Sequence, residues 1–522
     1  MSVVATPTSA GVFAVPIRRD DLLRKWLPLI LILGLAVAVR HFVVANTDVS
    51  WEITLSEKIL DGQRLYTDLI EVNPPASTFL YLPAVALARA LGWAPEIVVD
   101  ASVFISALIS LGIASHIVRQ YRLLDGLRGW SVAAFTLAVL TILPAQTFGE
   151  REHIALIAVL PALALLVARA KDARPLLWHC LVAGAGAGVT ICIKPHFALA
   201  VGLAAAVTAL YLRSWRVLFV LENWIAAAIA VSYGVCIVVF CRAFITDAMP
   251  LVADLYLPVR LSLVDSLTRI PVVLWAGAIL VIVGLRRGTG CHPECLVLLT
   301  ASVGFAAAYL IQGKGWPYHS YPMLALALIE LDLAVVFRRR AAEQTGERDG
   351  FMGICATVAL SVIAVWSFAW LNVALDTRAA AAVVRRIAPP HPSIIVISDD
   401  GAIGHPLVRA VGGRWISPAF GLWITLNAAI RRFSGGLDAA TEQRLSSYVQ
   451  AERQRLIGEI RDGKPDIILV DNRVGGGIFL NNRVVHWGEW LRADRDLSAL
   501  VAANYREVDS ADGVVILERN GT

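Results

Sequence analysis

This chain reads as a polytopic α-helical membrane protein of about eleven transmembrane helices, followed by a C-terminal extracytoplasmic α/β domain. Three observations lead there. Of 522 residues, 57% are hydrophobic and only 17% charged, with a mean hydropathy of +0.66, whereas soluble domains carry about 25% charged residues. Eleven apolar runs approach the roughly 20 residues that a spanning helix needs. Beyond about residue 376 the chain turns polar, and strand-like runs alternate with helical ones.

In chain order, residues 1–23 form a short N-terminal segment on the cytoplasmic side. The first apolar run, 24–44, ends in Arg40 and His41 rather than at a small-residue cleavage site, so it reads as a retained helix and not a signal peptide. Further spans are expected at 96–118, 129–147, 153–170, 176–193, 195–212, 217–243, 271–286, 294–311, 321–337 and 352–374. The stretch 76–92 is apolar but short, and is expected to lie on the membrane surface within a first outer loop, 45–95. Charge supports this choice. With the N-terminus cytoplasmic, "RRDDLLRK", "RQYRLLDGLR", "RAKDAR", "LRSWR", "LRRG" and "RRRAAEQTGER" all fall inside, each rich in arginine as the positive-inside rule asks. Counting 76–92 as a span would place them all outside. The membrane domain is thus 24–375 and the outer domain 376–522. In the outer domain "SIIVIS", "DIILVD" and "GVVILER" read as strands and "DAATEQRLSSYVQAERQRLIGEI" as helix.

Composition also excludes classes. In a soluble protein a net charge of +5 would suggest nucleic acid, but here the basic residues orient helices, and no nucleic-acid partner is expected. Of seven cysteines, Cys291 and Cys295 form "CHPEC", a spacing too weak to mark a metal site. None follows Cys355, so the tail has no disulfide framework. "VGGG" after Asp471 lacks the full glycine fingerprint of a nucleotide loop. No internal repeat is visible, which argues against a repeat-built transporter.

Residues suited to chemistry collect on the outer face. "NTDVSWE" puts Asp48 at the mouth of the first span, with Glu52 four residues on, and "EVNPP" adds Glu71. "GEREH" brings Glu150, Arg151, Glu152 and His153, and "KPHF" brings Lys194 and His196. "YLPVRLS" carries Arg260, and "QGKGWPYH" supplies Lys314, Tyr318 and His319. A charge at the bilayer centre costs about 2.5–3.5 kcal/mol even on the lenient insertion scale. Ionisable groups recurring from loop to loop therefore fit a wet cavity at the outer interface better than a set of unrelated snorkelling ends. Trp51, Trp93, Trp316 and Tyr318 are either interfacial belt aromatics or a stacking platform for a sugar or an isoprenoid.

The order "TDVSWEITLSEKILDGQRLYTDLIEVNPP…LG", "GEREHIAL", "IKPHFALAV", "QGKGWPYHSYPMLALAL" resembles the GT-C membrane glycosyltransferases, in particular the lipid A aminoarabinose transferases and the bacterial protein O-mannosyltransferase-like proteins. The resemblance covers roughly residues 24–340 and rests on motif order and placement; the tail carries no motif to transfer. It implies an enzyme of the cytoplasmic (inner) membrane that moves a monosaccharide from a polyprenyl-phosphate carrier to an extracytoplasmic lipid, glycan or protein. Asp48 matches the family's catalytic aspartate at the start of the first outer loop. Where relatives have Asp-Glu this chain has Asp48-Val49, so Glu52 would supply the second acid. Asn73-Pro74-Pro75 replaces a Lys-Pro pair, which removes one phosphate-binding cation, and Glu71 sits just before it. Glu152, in preference to Glu150, takes the place of an acid near the reacting centre. Lys194 matches a basic residue facing the carrier phosphate, and Lys314 and Tyr318 fall in a "KGK-x-Pro-Tyr" type region.

Such a transfer breaks the bond between the anomeric carbon and a phosphate, much as in glycoside cleavage. Asp48 is the expected general base, with Glu52 and Glu152 as further catalytic acids. Lys194 and Lys314 are the expected phosphate clamps, with Arg260 as a third. Arg151, Glu71, Tyr318 and His319 complete the binding set. Direct attack by the acceptor would invert the anomeric centre, as the resemblance implies. No cofactor is assigned; a divalent metal stays open, with His153 and His196 as candidate ligands. A flippase for a lipid-linked sugar and an oligosaccharide ligase are the rivals. The charges gather in outer loops rather than at mid-span, where transport sites lie.

Overall fold

The computed structural model describes residues 19–124, 129–287, 292–345, 350–473 and 484–521. All eleven apolar runs contain a helix. The first is α1 (Arg19–Phe42), followed in the outer loop by α2 (Thr47–Leu60), α3 (Ala76–Phe79) and α4 (Leu82–Leu91). Then come α5 (Pro95–Gln120), α6 (Gly129–Thr141), α7 (Arg151–Ala170), α8 (Leu177–Ile193), α9 (Ala198–Tyr211) and α10 (Leu221–Phe240). Two short helices, α11 (Met249–Leu251) and α12 (Leu263–Leu267), precede α13 (Ile270–Leu285), α14 (Pro293–Gln312), α15 (Pro317–Thr345) and α16 (Gly350–Leu371).

The expected count of eleven spans is not what these helices show. Among the described residues six are long and apolar enough to cross a membrane, or seven if α1 and α2 are taken as one span bent by 80°. The runs at 129–147, 176–193, 195–212 and 271–286 form helices of 13, 17, 14 and 16 residues. Breaks in the chain account for part of this. α6 stops at Thr141 because Pro144 and a tight turn at Ala145–Thr147 lead into Gly149 at φ +82°. Pro195 separates α8 from α9. Cys291 and the "VGGG" stretch, 474–477, lie outside the described residues.

Within the bundle α15 is central, with 83% of its apolar window buried, while α10 buries 6% and presents Trp224, Val231, Val235 and Val238 outward. α8 can lie against both α7 and α10 because its facing residues are glycines. A Cβ on Gly186 would come 2.1 Å from the Ala158 carbonyl of α7, and one on Gly184 2.7 Å from the Glu222 carbonyl of α10. Small residues of this kind let membrane helices approach closely.

The tail holds α17 (Arg378–Ile387), β1 (Ser393–Ile397), α18 (Gly401–Ala410), β2 (Arg414–Trp415), α19 (Trp423–Ser434), α20 (Ala439–Gly463) and β3 (Ile467–Asp471). It continues with α21 (Trp487–Ala493), α22 (Arg495–Asn504), β4 (Tyr505–Ala511) and β5 (Val514–Arg519). The sheet order is β2-β1-β3-β5-β4, with β1 parallel to β2 and β3 and the rest antiparallel. All three expected strands are present. β2 has only two residues and β4 is largely exposed, so neither carries the apolar run of a buried strand. At the carboxyl end of the sheet Arg473 donates to Asp471 at 2.9 and 3.0 Å and to Asp400 at 2.7 Å, Ser398 donates to Asp471 at 3.0 Å, and the Trp487 indole donates to Asp399 at 2.7 Å. The tail does not stand apart: Trp51, Leu55 and Leu69 of the first outer loop share one apolar core with Ile394, Val396, Ile403 and Leu407.

Candidate active site

The site grows from α2. Asn46 caps the helix, its Oδ1 accepting from the Val49 amide at 2.9 Å. That places Asp48 in the first turn, where a helix N-terminus favours negative charge. Asp48 and Glu52 are four residues apart and share a face. Val49 and Ile53, about 100° further round, pack instead with Tyr81, Val85 and Val99. Val49 faces the core here, and the next carboxylate on the site face is Glu52.

Opposite stands the N-terminus of α7. Gly149 adopts φ +82°, its carbonyl accepts from the Tyr81 hydroxyl at 2.7 Å, and the turn delivers Glu150, Arg151 and Glu152 into the bundle. The Arg151 side chain is 3% exposed. It donates to Asp48 Oδ2 at 2.9 Å and to Glu52 Oε1 at 3.2 Å, and its Nε lies 3.8 Å from Glu150 Oε2. Asp48 keeps 22% of its side chain exposed, against 1% for Glu52 and Glu150. It is thus the carboxylate of this group that a solvent-borne hydroxyl can reach. Burial, reinforced by the charge of Glu71, pushes the Glu52 carboxyl up to about 8. Burial and then Asp48 push Glu150 well above the usual range. At about 8, Glu52 holds its proton near neutral pH.

A second group adjoins the first. The Lys194 ammonium donates to Glu152 Oε1 at 2.5 Å, to Gln312 Oε1 at 3.1 Å and to His319 Nε2 at 3.3 Å, and lies 5.7 Å from the Tyr318 ring centroid. Burial holds Lys194 below the usual lysine range, against the pull of Glu152. Around it Glu152 Oε2, Gln312 Nε2, His319 Nδ1 and His196 Nε2 are buried without a partner. Unmade hydrogen bonds of this kind cost about 1–3 kcal/mol each, and here they sit side by side where a polar ligand would satisfy them.

Asp48, Glu52, Glu152, Arg151, Lys194, Tyr318 and His319, drawn from separate loops, thus come together. Other expected residues stand elsewhere or are engaged. Glu71 is saturated: Oε2 accepts from the Trp51 indole at 2.6 Å, and Oε1 accepts from the Val72 and Asn73 amides at 2.8 Å and from Asn73 Nδ2 at 2.6 Å. It anchors the "EVNPP" turn. Lys314 donates to the carbonyls of Tyr256 and Val259 at 2.5 and 2.6 Å and lies 3.8 Å from the Tyr256 ring centroid. Burial, then the charge of Arg260, lowers it to about 7. Arg260 is exposed, its Nε donating to the Leu257 carbonyl at 2.8 Å. His153 is not free to take a metal, since Nδ1 accepts from the Gly149 amide at 3.0 Å and Nε2 donates to the Leu140 carbonyl at 2.7 Å. Burial, then Lys194, lowers His196 to about 3. Among the described residues no three His, Cys, Asp or Glu side chains form a metal-holding group.

Sequence reasoning missed Gln312 and Tyr256. Gln312 lies two residues before Lys314 in the motif already singled out. Tyr256, four residues before Arg260, has its ring centroid 3.8 Å from the Lys314 ammonium and 6.3 Å from that of Trp316.

No protein-family model matches the chain, and no curated protein matches it. Solved structures do. The crystal structure of ArnT from Cupriavidus metallidurans bound to undecaprenyl phosphate matches with TM-score 0.51 and 14% identity, over 95% of this chain and 99% of that one. The apo form of that protein gives 0.52, 15%, 95% and 98%. The fold is therefore that of these ArnT structures.

Proposed function

We propose that this chain, which has the ArnT fold, is a glycosyltransferase that moves a monosaccharide from a polyprenyl-phosphate carrier to an acceptor outside the cytoplasmic membrane. The observation that carries the reading is Asp48, partly exposed at the edge of a buried cluster and held by the Arg151 guanidinium. In the reaction the acceptor oxygen attacks the anomeric carbon and passes its proton to Asp48. The bond from that carbon to the phosphate oxygen breaks, and the electron pair leaves with the phosphate. A positioned base is worth about 10²–10⁴ in rate. Arg151 orients Asp48, while Glu52, protonated near neutral pH, fills the second carboxyl place without a competing charge.

The leaving phosphate needs cations aimed at its growing charge, commonly the largest single contribution. Lys194 is one, its charge matched by Glu152 in this state. Arg260, exposed beside Lys314, is the other and takes the place of the cation missing from Asn73-Pro74-Pro75. Gln312, His319 and His196 offer polar atoms to sugar hydroxyls. The reading places the N-terminus in the cytoplasm and the site and tail outside the inner membrane. A flippase would use the same cavity without bond cleavage.

The test is release of free carrier phosphate from a polyprenyl-phosphate sugar by the purified protein, with and without acceptors. Release that depends on acceptor supports a transferase. Movement of the lipid-linked sugar across liposomes without release makes the protein a flippase instead.

A further inference from the structure

The tail touches both walls of the site just described. On one side α18 lies against α2. Arg409 of α18 donates to both oxygens of Glu57 at 2.8 and 3.1 Å and to the Thr54 hydroxyl at 3.3 Å, and also pairs with Glu96 at the start of α5. Arg409 is 13% exposed, against 33% for Glu57 and 35% for Glu96, so the guanidinium is the shielded half of each pair. Beside it the Trp51 ring of α2 packs on His405 at 4.9 Å and on Phe420 at 6.0 Å. The Lys58 ammonium donates to the Ile416 carbonyl at 3.3 Å and the Ile70 amide to that of Pro418 at 2.9 Å. Trp51 is the indole that holds Glu71, and Glu71 holds the "EVNPP" turn.

On the other side α19 and α20 hold the loop before Tyr256. Arg444 donates to both oxygens of Asp254 at 2.9 and 3.2 Å, the Tyr448 hydroxyl adds a bond at 3.3 Å, and Arg431 donates to the Asp254 carbonyl at 2.5 Å. Leu255 is buried among Ile424, Ala428 and Leu445. The chain here runs through two π-helical turns, Phe244–Ala248 and Val252–Tyr256, a geometry that is rare and concentrated at functional sites. Two residues past Asp254 stands Tyr256.

We infer that the tail is a bracket for the proposed reaction: Arg409 is a positioning residue that fixes α2, and with it Asp48, while the Asp254 node fixes the Tyr256 wall. The inference rests on the transferase reading for its effect on rate, but the contacts themselves are open to a test without activity. A carboxylate misplaced by about 1 Å can cost on the order of 10²-fold in rate.

The experiment uses the full chain in lipid nanodiscs, as wild type, Arg409→Gln, Arg409→Lys, Glu57→Gln and Asp254→Asn. Hydrogen exchange is followed in 47–60 and in 252–260, together with kcat and KM for carrier-sugar turnover. Arg409→Gln is expected to speed exchange in 47–60 but not in 252–260, and to lower kcat about ten- to a hundred-fold with KM unchanged. Arg409→Lys should restore part of kcat, and Asp254→Asn should speed exchange only in 252–260. In an Asp48→Asn background the further loss from Arg409→Gln should vanish, because Arg409 acts through Asp48. Unchanged exchange in 47–60, or an equal loss in that background, overturns the bracket. If Arg409→Gln does not fold, Glu57→Gln decides in its place. If the wild type transfers no sugar, the functional reading falls and the exchange data alone judge the bracket.

Discussion

Two clusters in this molecule are built from nearly the same parts. At the N-termini of α2 and α7 Arg151 faces Asp48, Glu52 and Glu150; at the carboxyl end of the tail sheet Arg473 faces Asp400 and Asp471, with Asp399 alongside. Their hydrogen bonding differs. Among the described residues, Glu52 Oε2, both Glu150 carboxyl oxygens and Glu152 Oε2 are buried without partners, while no carboxylate oxygen of the sheet-end cluster is. There Arg473, Ser398 and Trp487 close the ring. The sheet-end cluster satisfies itself, while the Arg151 cluster leaves buried atoms that a polar ligand would satisfy.

The comparison breaks most visibly at Asp48. Asp48→Asn keeps the shape and removes the base, and kcat for carrier-phosphate release should fall about 10²–10⁴-fold with carrier affinity retained. Equal turnover would remove Asp48 from the mechanism. Next is Arg151→Met, which leaves the Asp48 carboxylate without its cation and Glu52 without its donor and should lower unfolding stability by about 3–5 kcal/mol, read from thermal unfolding in detergent. Arg473→Met should cost less, about 1–3 kcal/mol, with kcat per folded molecule unchanged. A loss of kcat there would mean that the sheet-end cluster is not merely structural. The last effect is a slope with pH. Glu52 holds its proton more tightly folded, at about 8, than at its ordinary value of 4.5. Below that ordinary value both states are protonated. Between the two values only the unfolded state ionises, so stability falls as pH rises, and above the upper value it levels. Glu52→Gln should remove this fall from a series of melting curves.

Much of the site was readable from loop composition, because charge is costly in lipid and so collects where the chain leaves it. The Asp48, Arg151, Lys194 and His319 loops announced themselves in that way. What a loop sequence does not carry is the direction of each side chain. Lys314 reads as a clamp, yet its ammonium turns to the carbonyls of Tyr256 and Val259. Glu71 reads as a ligand group, yet it stitches its own turn. His153 reads as a metal ligand until both ring nitrogens are seen to be taken. The docking of the tail was invisible for another reason: its contacts join Arg409 to Glu57 and Arg444 to Asp254, partners 352 and 190 residues apart, and no local pattern marks them.

One consequence of the α2 geometry concerns motion. Its first two turns carry Asp48 and Glu52 toward Arg151, Val49 and Ile53 toward α4 and α5, and Trp51 and Leu55 toward the tail. All three sets are fixed to one rod. With side-chain tips about 5–6 Å from the helix axis, a roll of about 10° sweeps the base through roughly 1 Å, enough to change rate a hundred-fold. The same roll shears Trp51 across the His405 ring. α2 is thus a short crank whose handle is in the tail and whose throw is the position of one carboxylate.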